Sequence, residues 1–237
     1  MGRWYPFRDC AEVDAVSEPV ALPLTPSGLR PQPQRRNARS NRARILATAR
    51  QELGRNPDVT LEELAKAAGV VRRTLFGHFP GRAALLEALA EEAAEAIRGA
   101  VAAGAERVAG PPEQALAHHV FGMWPIGDRY RLLLALARRD LGAERVAVIL
   151  APARDAVCSV LERGRREGVF HSPLPPAALS AALEAMTLAL LEAVNTGELV
   201  DDGTQVAVAT LISAGVPQPR ASAVVAEVAP VARPAAG

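Results

Sequence analysis

The sequence predicts an all-α protein, and three observations carry that prediction. Hydrophobic residues make up 49% of the 237 residues while aromatics make up only 4%, so Ala, Leu and Val must build the core. A chain rich in Ala, Leu, Glu and Arg with few β-branched runs favours helix. Apolar residues recur at spacings of three and four, and Gly and Pro punctuate the periodic stretches.

The elements follow in order. Residues 1–38 hold Pro6, Pro19, Pro23, Pro26, Pro31 and Pro33 without sustained periodicity, which predicts a disordered extension. Ser40 or Asn41 can cap a first helix, whose stripe is Ile45, Ala49 and Leu53; Gly54 and Pro57 end it. Thr60 followed by Glu63 forms a capping box that starts a second helix with Leu61, Leu64, Ala65 and Ala68 inward. Gly69 makes a sharp turn, a third helix covers Val71 to His78, Pro80 closes it, and a fourth runs from Arg82 to Gly104. Further helices are predicted over 112–123, 126–140, 143–150, 152–167, 176–196 and 203–214, with breaks or kinks at Pro125 and Pro152. Residues 218–237 are predicted to be a flexible tail.

Charge is uneven beneath a net +1. Between Arg35 and Arg82 eleven cationic side chains face four carboxylates, +7 in all, which leaves −6 for the rest. Such localised positive charge fits a polyanion partner, although a solvated charged face has the same composition. Cys10 and Cys158 fit no metal or redox spacing and suit a reducing cytoplasm. No uninterrupted apolar run of transmembrane length is present, and the N-terminus lacks the apolar core of a secretory signal, so no membrane partner is expected.

The short helices over 60–78 explain the positive charge. Ala65, Gly69, Val70 and Leu75 have helix-turn-helix spacing: Ala65 permits a close crossing, Gly69 turns the chain, and Leu64, Val70 and Leu75 anchor the pair. That arrangement turns Arg72, Arg73 and Thr74 outward, where a major groove accepts a helix. Arg can grip guanine through two hydrogen bonds, and a Thr methyl suits a thymine methyl. A helical corner within an ordinary bundle has the same spacing.

The stretch "TLEELAKAAGVVRRTLFGHFPGRAALLEAL" resembles the DNA-binding signature of TetR-type (tetracycline-repressor) transcriptional regulators, over roughly residues 42 to 90. The resemblance implies residues 39–81 as a helix-turn-helix DNA-binding domain and 82–217 as a helical ligand-binding and dimerisation domain. It implies DNA contacts from Arg42, Thr60, Arg72, Arg73, Thr74, Phe76, His78 and Arg82, with Thr60, His78 and Arg82 near phosphates. Phe76 stands where the family has a phosphate-contacting Tyr and lacks its hydroxyl; Val71 stands where a capping Ser or Thr is common; Gly77 replaces a bulkier residue. Arg35, Arg36 and Arg39 could form a basic arm ahead of the first helix or a basic linker.

The remaining residues leave fewer signals. "HHVFGMWPIGDRY" concentrates Phe121, Met123, Trp124 and Tyr130, which suit either an apolar ligand cavity or plain core packing. His118 and His119 are adjacent, about 100° apart on a helix, and so predict no shared metal. No catalytic grouping or Gly-rich phosphate loop is present, so neither enzymatic activity nor a cofactor is expected. Residues 176–214 combine Leu183, Met186, Leu190 and Val194 with a stripe of alanines, and the resemblance implies a homodimer through them. The expected function is a ligand-responsive repressor on a palindromic operator with an unidentified small-molecule effector; a helical protein–protein interaction module without DNA is the alternative.

Overall fold

A computed structural model describes residues 32–105 and 109–229, and among them the chain is all helix and turn. The helices are α1 (Gln32–Arg55), α2 (Leu61–Ala67), α3 (Arg72–His78), α4 (Arg82–Gly104), α5 (Pro112–Asp140), α6 (Ala143–Arg166), α7 (Pro176–Thr196), α8 (Thr204–Ser213) and α9 (Gln218–Val228).

Helices α1 to α3 close over Ile45, Leu53, Leu64 and Leu75, all at most 1% exposed. The predicted capping box is present at α2: Glu63 N–H donates to Thr60 Oγ1 at 3.2 Å, and the Thr60 backbone N–H donates to Glu63 Oε2 at 2.8 Å. Gly69 sits at φ +62°, where a side chain would be strained, and the Val70 N–H returns to the Ala65 carbonyl at 3.0 Å.

This small core does not end at residue 81. Leu85, Leu86 and Leu89 of α4 and Tyr130, Leu133 and Leu136 of α5 belong to it. The domain boundary expected after residue 81 therefore crosses continuous packing. A second core joins α5 to α9 through Leu116, Val160, Leu161, Leu183 and Leu211. A third cluster, Ala90, Ala94, Ile97 and Ile149, fastens α4 to α6.

Four expectations need correction. Helix α1 begins at Gln32, so residues 32–38 are helical and the predicted extension is shorter; residues 1–31 lie outside the described residues. Pro125 and Pro152 stand inside unbroken helices. Each removes one backbone donor, and packing of both flanks against neighbouring helices outweighs that loss. The predicted tail contains α9, whose Ala221, Val224 and Val225 are at most 2% exposed. Gln218 and Pro219 open α9, where a missing N–H costs nothing, and Arg220–Glu113 and Gln114–Glu227 contacts of 3.3 Å and 3.2 Å tie it to α5. Residues 230–237 lie outside the described residues.

Helix α7 departs from another expectation. By length and composition alone it could cross a membrane, with a mean hydropathy of 1.6 over its most apolar window. Only 22% of that window is buried within the chain. Leu179, Leu183 and Leu191 face the core, while Ala178, Ala181, Ala182, Ala185 and Ala189 form an exposed stripe.

Candidate nucleic-acid interface and ligand cavity

The third helix presents its polar face outward because Leu75 and the following Phe79 are held inside, at 0% and 2% exposed. Arg72 and Arg73 are exposed and Thr74 is half-buried at the edge of the core. Arg72 pairs with Glu62 of α2 at 2.5 Å, and its guanidinium lies 5.1 Å from the centre of the Phe76 ring. Arg73 has no partner among the described residues. Phe76 is half-buried and packs against the core, which agrees with its lack of a hydroxyl. His78 is half-buried, its ring 6.2 Å from that of Phe79. Val71 makes no side-chain cap at the start of α3.

The flanking groups divide into exposed and engaged. Arg42 is exposed, its guanidinium 5.2 Å from the Phe79 ring centre. Arg36, Arg39 and Arg44 are exposed along the same helix. Thr60 is exposed, but its hydroxyl also donates to Glu63 Oε2 at 2.8 Å. The capping hydrogen bonds, backbone first, hold the Glu63 carboxyl below its usual range, so it stays an acceptor.

Arg82 is placed differently from its expected role. Its guanidinium donates to the Val59 carbonyl at 3.1 Å and the Pro57 carbonyl at 2.5 Å, and lies 3.6 Å from Asp140. It ties the loop before α2 to the start of α4 and the end of α5. These bonds use two of its five N–H donors, which gives Arg82 a structural role beside the expected phosphate contact.

A cavity of about 180 Å³ lies among α4, α5, α6, α7 and α8. Met123, Trp124 and Tyr130 line it as expected, and Phe121 does not: it packs against the outer core between α5 and its neighbours. Trp124 and Tyr130 are at once wall and core, each 6% exposed. The Trp124 indole donates to the Asp201 carbonyl at 3.3 Å and its ring abuts Gly203, which fixes α5 against the start of α8.

Other wall residues were not read from the sequence as cavity residues. His119 lines the cavity, and burial pushes its imidazole down to about 4, so it is neutral. Arg154 and Glu184 form a two-point ion pair at 2.8 Å and 3.3 Å between α6 and α7. Thr210 also lines the cavity, and its buried hydroxyl has no partner.

A polar bridge joins this cavity to the core of α1 to α3. Tyr130 donates its hydroxyl to Glu92 Oε1 at 2.9 Å, and Arg50 of α1 contacts the same oxygen at 2.5 Å. The Arg50 guanidinium also lies 5.6 Å from the Tyr130 ring centre. Burial and the Glu92 carboxylate both hold the Tyr130 hydroxyl in its protonated form. Residues 38 to 80 positions apart meet here, and no local motif encodes that.

The comparisons agree with this geometry. The family model for "Bacterial regulatory proteins, tetR family" matches residues 45–89. No curated protein matches the chain significantly. Among solved structures, the TetR-like transcriptional regulator LfrR from Mycobacterium smegmatis, determined with proflavine, is 25% identical, with 76% of this chain and 96% of that chain covered and a TM-score of 0.59. The fatty acid degradation regulator FadR from Bacillus halodurans is 16% identical, with 74% and 95% covered and a TM-score of 0.62. SmeT, the repressor of the Stenotrophomonas maltophilia multidrug efflux pump SmeDEF, is 23% identical, with 75% and 91% covered and a TM-score of 0.56. The matched residues run from within α1 into the first turns of α4, so this chain carries a helix-turn-helix segment that matches the tetR family's model, on an all-helical fold shared with these solved regulators.

Proposed function

We propose that the protein is a homodimeric, ligand-responsive repressor that reads a palindromic operator. The observation that carries the reading is the exposed basic face of α3, Arg72 and Arg73 with Thr74 beside them, held outward by Leu75 and Phe79. A helix so presented fits a major groove, where Arg72 or Arg73 grips a guanine and Thr74 contacts a neighbouring base or phosphate. Arg42, Thr60 and His78 border the same face and suit phosphates. Arg82 positions the domain without touching DNA.

Dimerisation through 176–214 is supported by the exposed alanine stripe of α7, where small side chains let a second copy approach closely. Twofold symmetry then sets two half-sites about 34–36 Å apart, or a small multiple of that. The cavity is the effector site, and Tyr130, with one face on the cavity and its hydroxyl on Glu92, joins it to the DNA-binding core. LfrR was determined with proflavine, which supports a ligand role for the corresponding helical domain here.

Selection of bound fragments from genomic DNA with the purified protein, followed by footprinting, tests the reading. A protected palindrome whose occupancy falls with salt is expected. Absence of salt-dependent duplex binding, or a footprint over one asymmetric half-site, would overturn it.

A further inference from the structure

The cavity wall states what kind of molecule it is built for. Most of it is aliphatic, and its polar side chains divide into satisfied and unsatisfied groups. The Tyr130 hydroxyl is spent on Glu92, and the Trp124 indole on the Asp201 carbonyl. Ser180 donates to the Arg154 carbonyl at 2.8 Å, and Thr187 donates to the Leu183 carbonyl at 2.9 Å. Arg154 and Glu184 neutralise each other. Two groups remain among the described residues: the Thr210 hydroxyl, buried without a partner on a residue 3% exposed, and the ring of the half-buried His119.

A buried polar group without a partner is costly, so the unpaired Thr210 hydroxyl on the cavity wall, with the neutral His119 ring on the same wall, marks where a ligand group bonds. We propose that the cavity binds a small uncharged, mostly apolar molecule carrying one hydroxyl-type group, which hydrogen-bonds to His119 and Thr210. This deepens the reading of the cavity as the effector site and rests on it. A neutral imidazole offers one donor and one acceptor, and a Thr hydroxyl offers both, so a phenol or alcohol can satisfy either. A charged ligand has no unpaired counter-ion here; it would have to break the Arg154–Glu184 pair. The volume of about 180 Å³ suits a single substituted ring, since a cavity of roughly 150 Å³ in another protein holds benzene.

Four probes of one shape test the proposal by calorimetry on the full-length protein: 4-methylphenol, toluene, 4-methylbenzoate and 4-methylbenzylammonium. The expected order is 4-methylphenol tighter than toluene by about two- to tenfold, the worth of one net hydrogen bond, with both ions undetected at concentrations that saturate with the phenol. In a cavity without a receptor the order inverts, because the hydroxyl is desolvated without compensation. His119→Leu should remove the preference for the phenol, read as the ratio of phenol to toluene affinity. Thr210→Val, of nearly the same shape, should reduce that preference and raise the melting temperature, since it deletes an unsatisfied hydroxyl; it also serves if His119→Leu fails to fold. Toluene binding tighter than the phenol, tighter binding of either ion, or a preference untouched in both variants overturns the proposal while leaving the effector site standing. Failure of all four probes overturns both.

Discussion

Arg72, Arg73 and Arg82 are three arginines within eleven residues, and their surroundings assign them different work. Arg73 is free among the described residues and Arg72 is held only by an exposed pair with Glu62, an interaction worth about 0–1 kcal/mol. Replacing either by Ala should cost about 1–3 kcal/mol of operator affinity and relax preference at one base pair, measured by anisotropy across operator variants. Arg82→Ala should instead lower the melting temperature and leave the salt slope of DNA binding unchanged, because its donors are already on Pro57 and Val59. A slope reduced by about one ion would restore Arg82 as a phosphate contact. His119 gives a pH signature of its own. Its folded pKa of about 4 lies below the unfolded value of about 6.5, so the unfolded chain binds more protons between them. Stability should therefore be full above about pH 6.5, fall on acidification towards pH 4, and fall less steeply in His119→Leu. Denaturant titrations across that window measure the difference.

Among the elements, the recognition pair was the most legible in the sequence and the end of the chain the least. Thr60, Glu63 and Gly69 act through neighbours three to six residues away, so their spacing alone specified α2 and the turn. The structural role of Arg82 was not legible because its partners come from α5 and from a loop 23 to 25 residues earlier. Pro125 and Pro152 misled for a related reason: local chemistry favours a break, and packing along both flanks overrides it. Helix α9 carried a readable signal in Ala221, Val224 and Val225, at i, i+3 and i+4, masked by the prolines that open it. Phe121 resembled its aromatic neighbours in sequence, and only the rotation of α5 separates it from the cavity. The bridge from Arg50 through Glu92 to Tyr130 spans three helices, and a test belongs to it as a unit. Glu92→Gln keeps the shape but removes the charge that Arg50 and Tyr130 share. It should leave cavity binding of 4-methylphenol within about twofold while reducing the ligand's effect on operator affinity; coupling of this kind is typically about 1–3 kcal/mol. An unchanged ligand effect would show that the signal travels through apolar packing.

At the scale of the whole molecule, the question is what covers α7. Met186 and Leu190 pack partly against the chain's own core, so charges there would disturb folding as well as the proposed association. Ala185 is exposed and separates the two effects. Glu at that position is solvated in a monomer and buried without a partner in a dimer, so Ala185→Glu should yield a folded monomer. Light scattering with circular dichroism reads both; a parent protein that is already monomeric would remove the dimer and the palindrome together.

The continuous packing across residue 81 bears on how such regulators can be recombined. Leu85, Leu86 and Leu89, together with Tyr130, Leu133 and Leu136, are as much a part of the DNA-reading head as Leu53 or Leu75. A foreign head grafted by splicing at residue 81 would arrive without more than a third of its own interior and meet six side chains shaped for another. Sensor chimaeras made at that junction should express poorly. Those that also carry the donor's counterparts of these six positions should fold, because the transplantable unit is a three-dimensional one that draws on two separate stretches of chain.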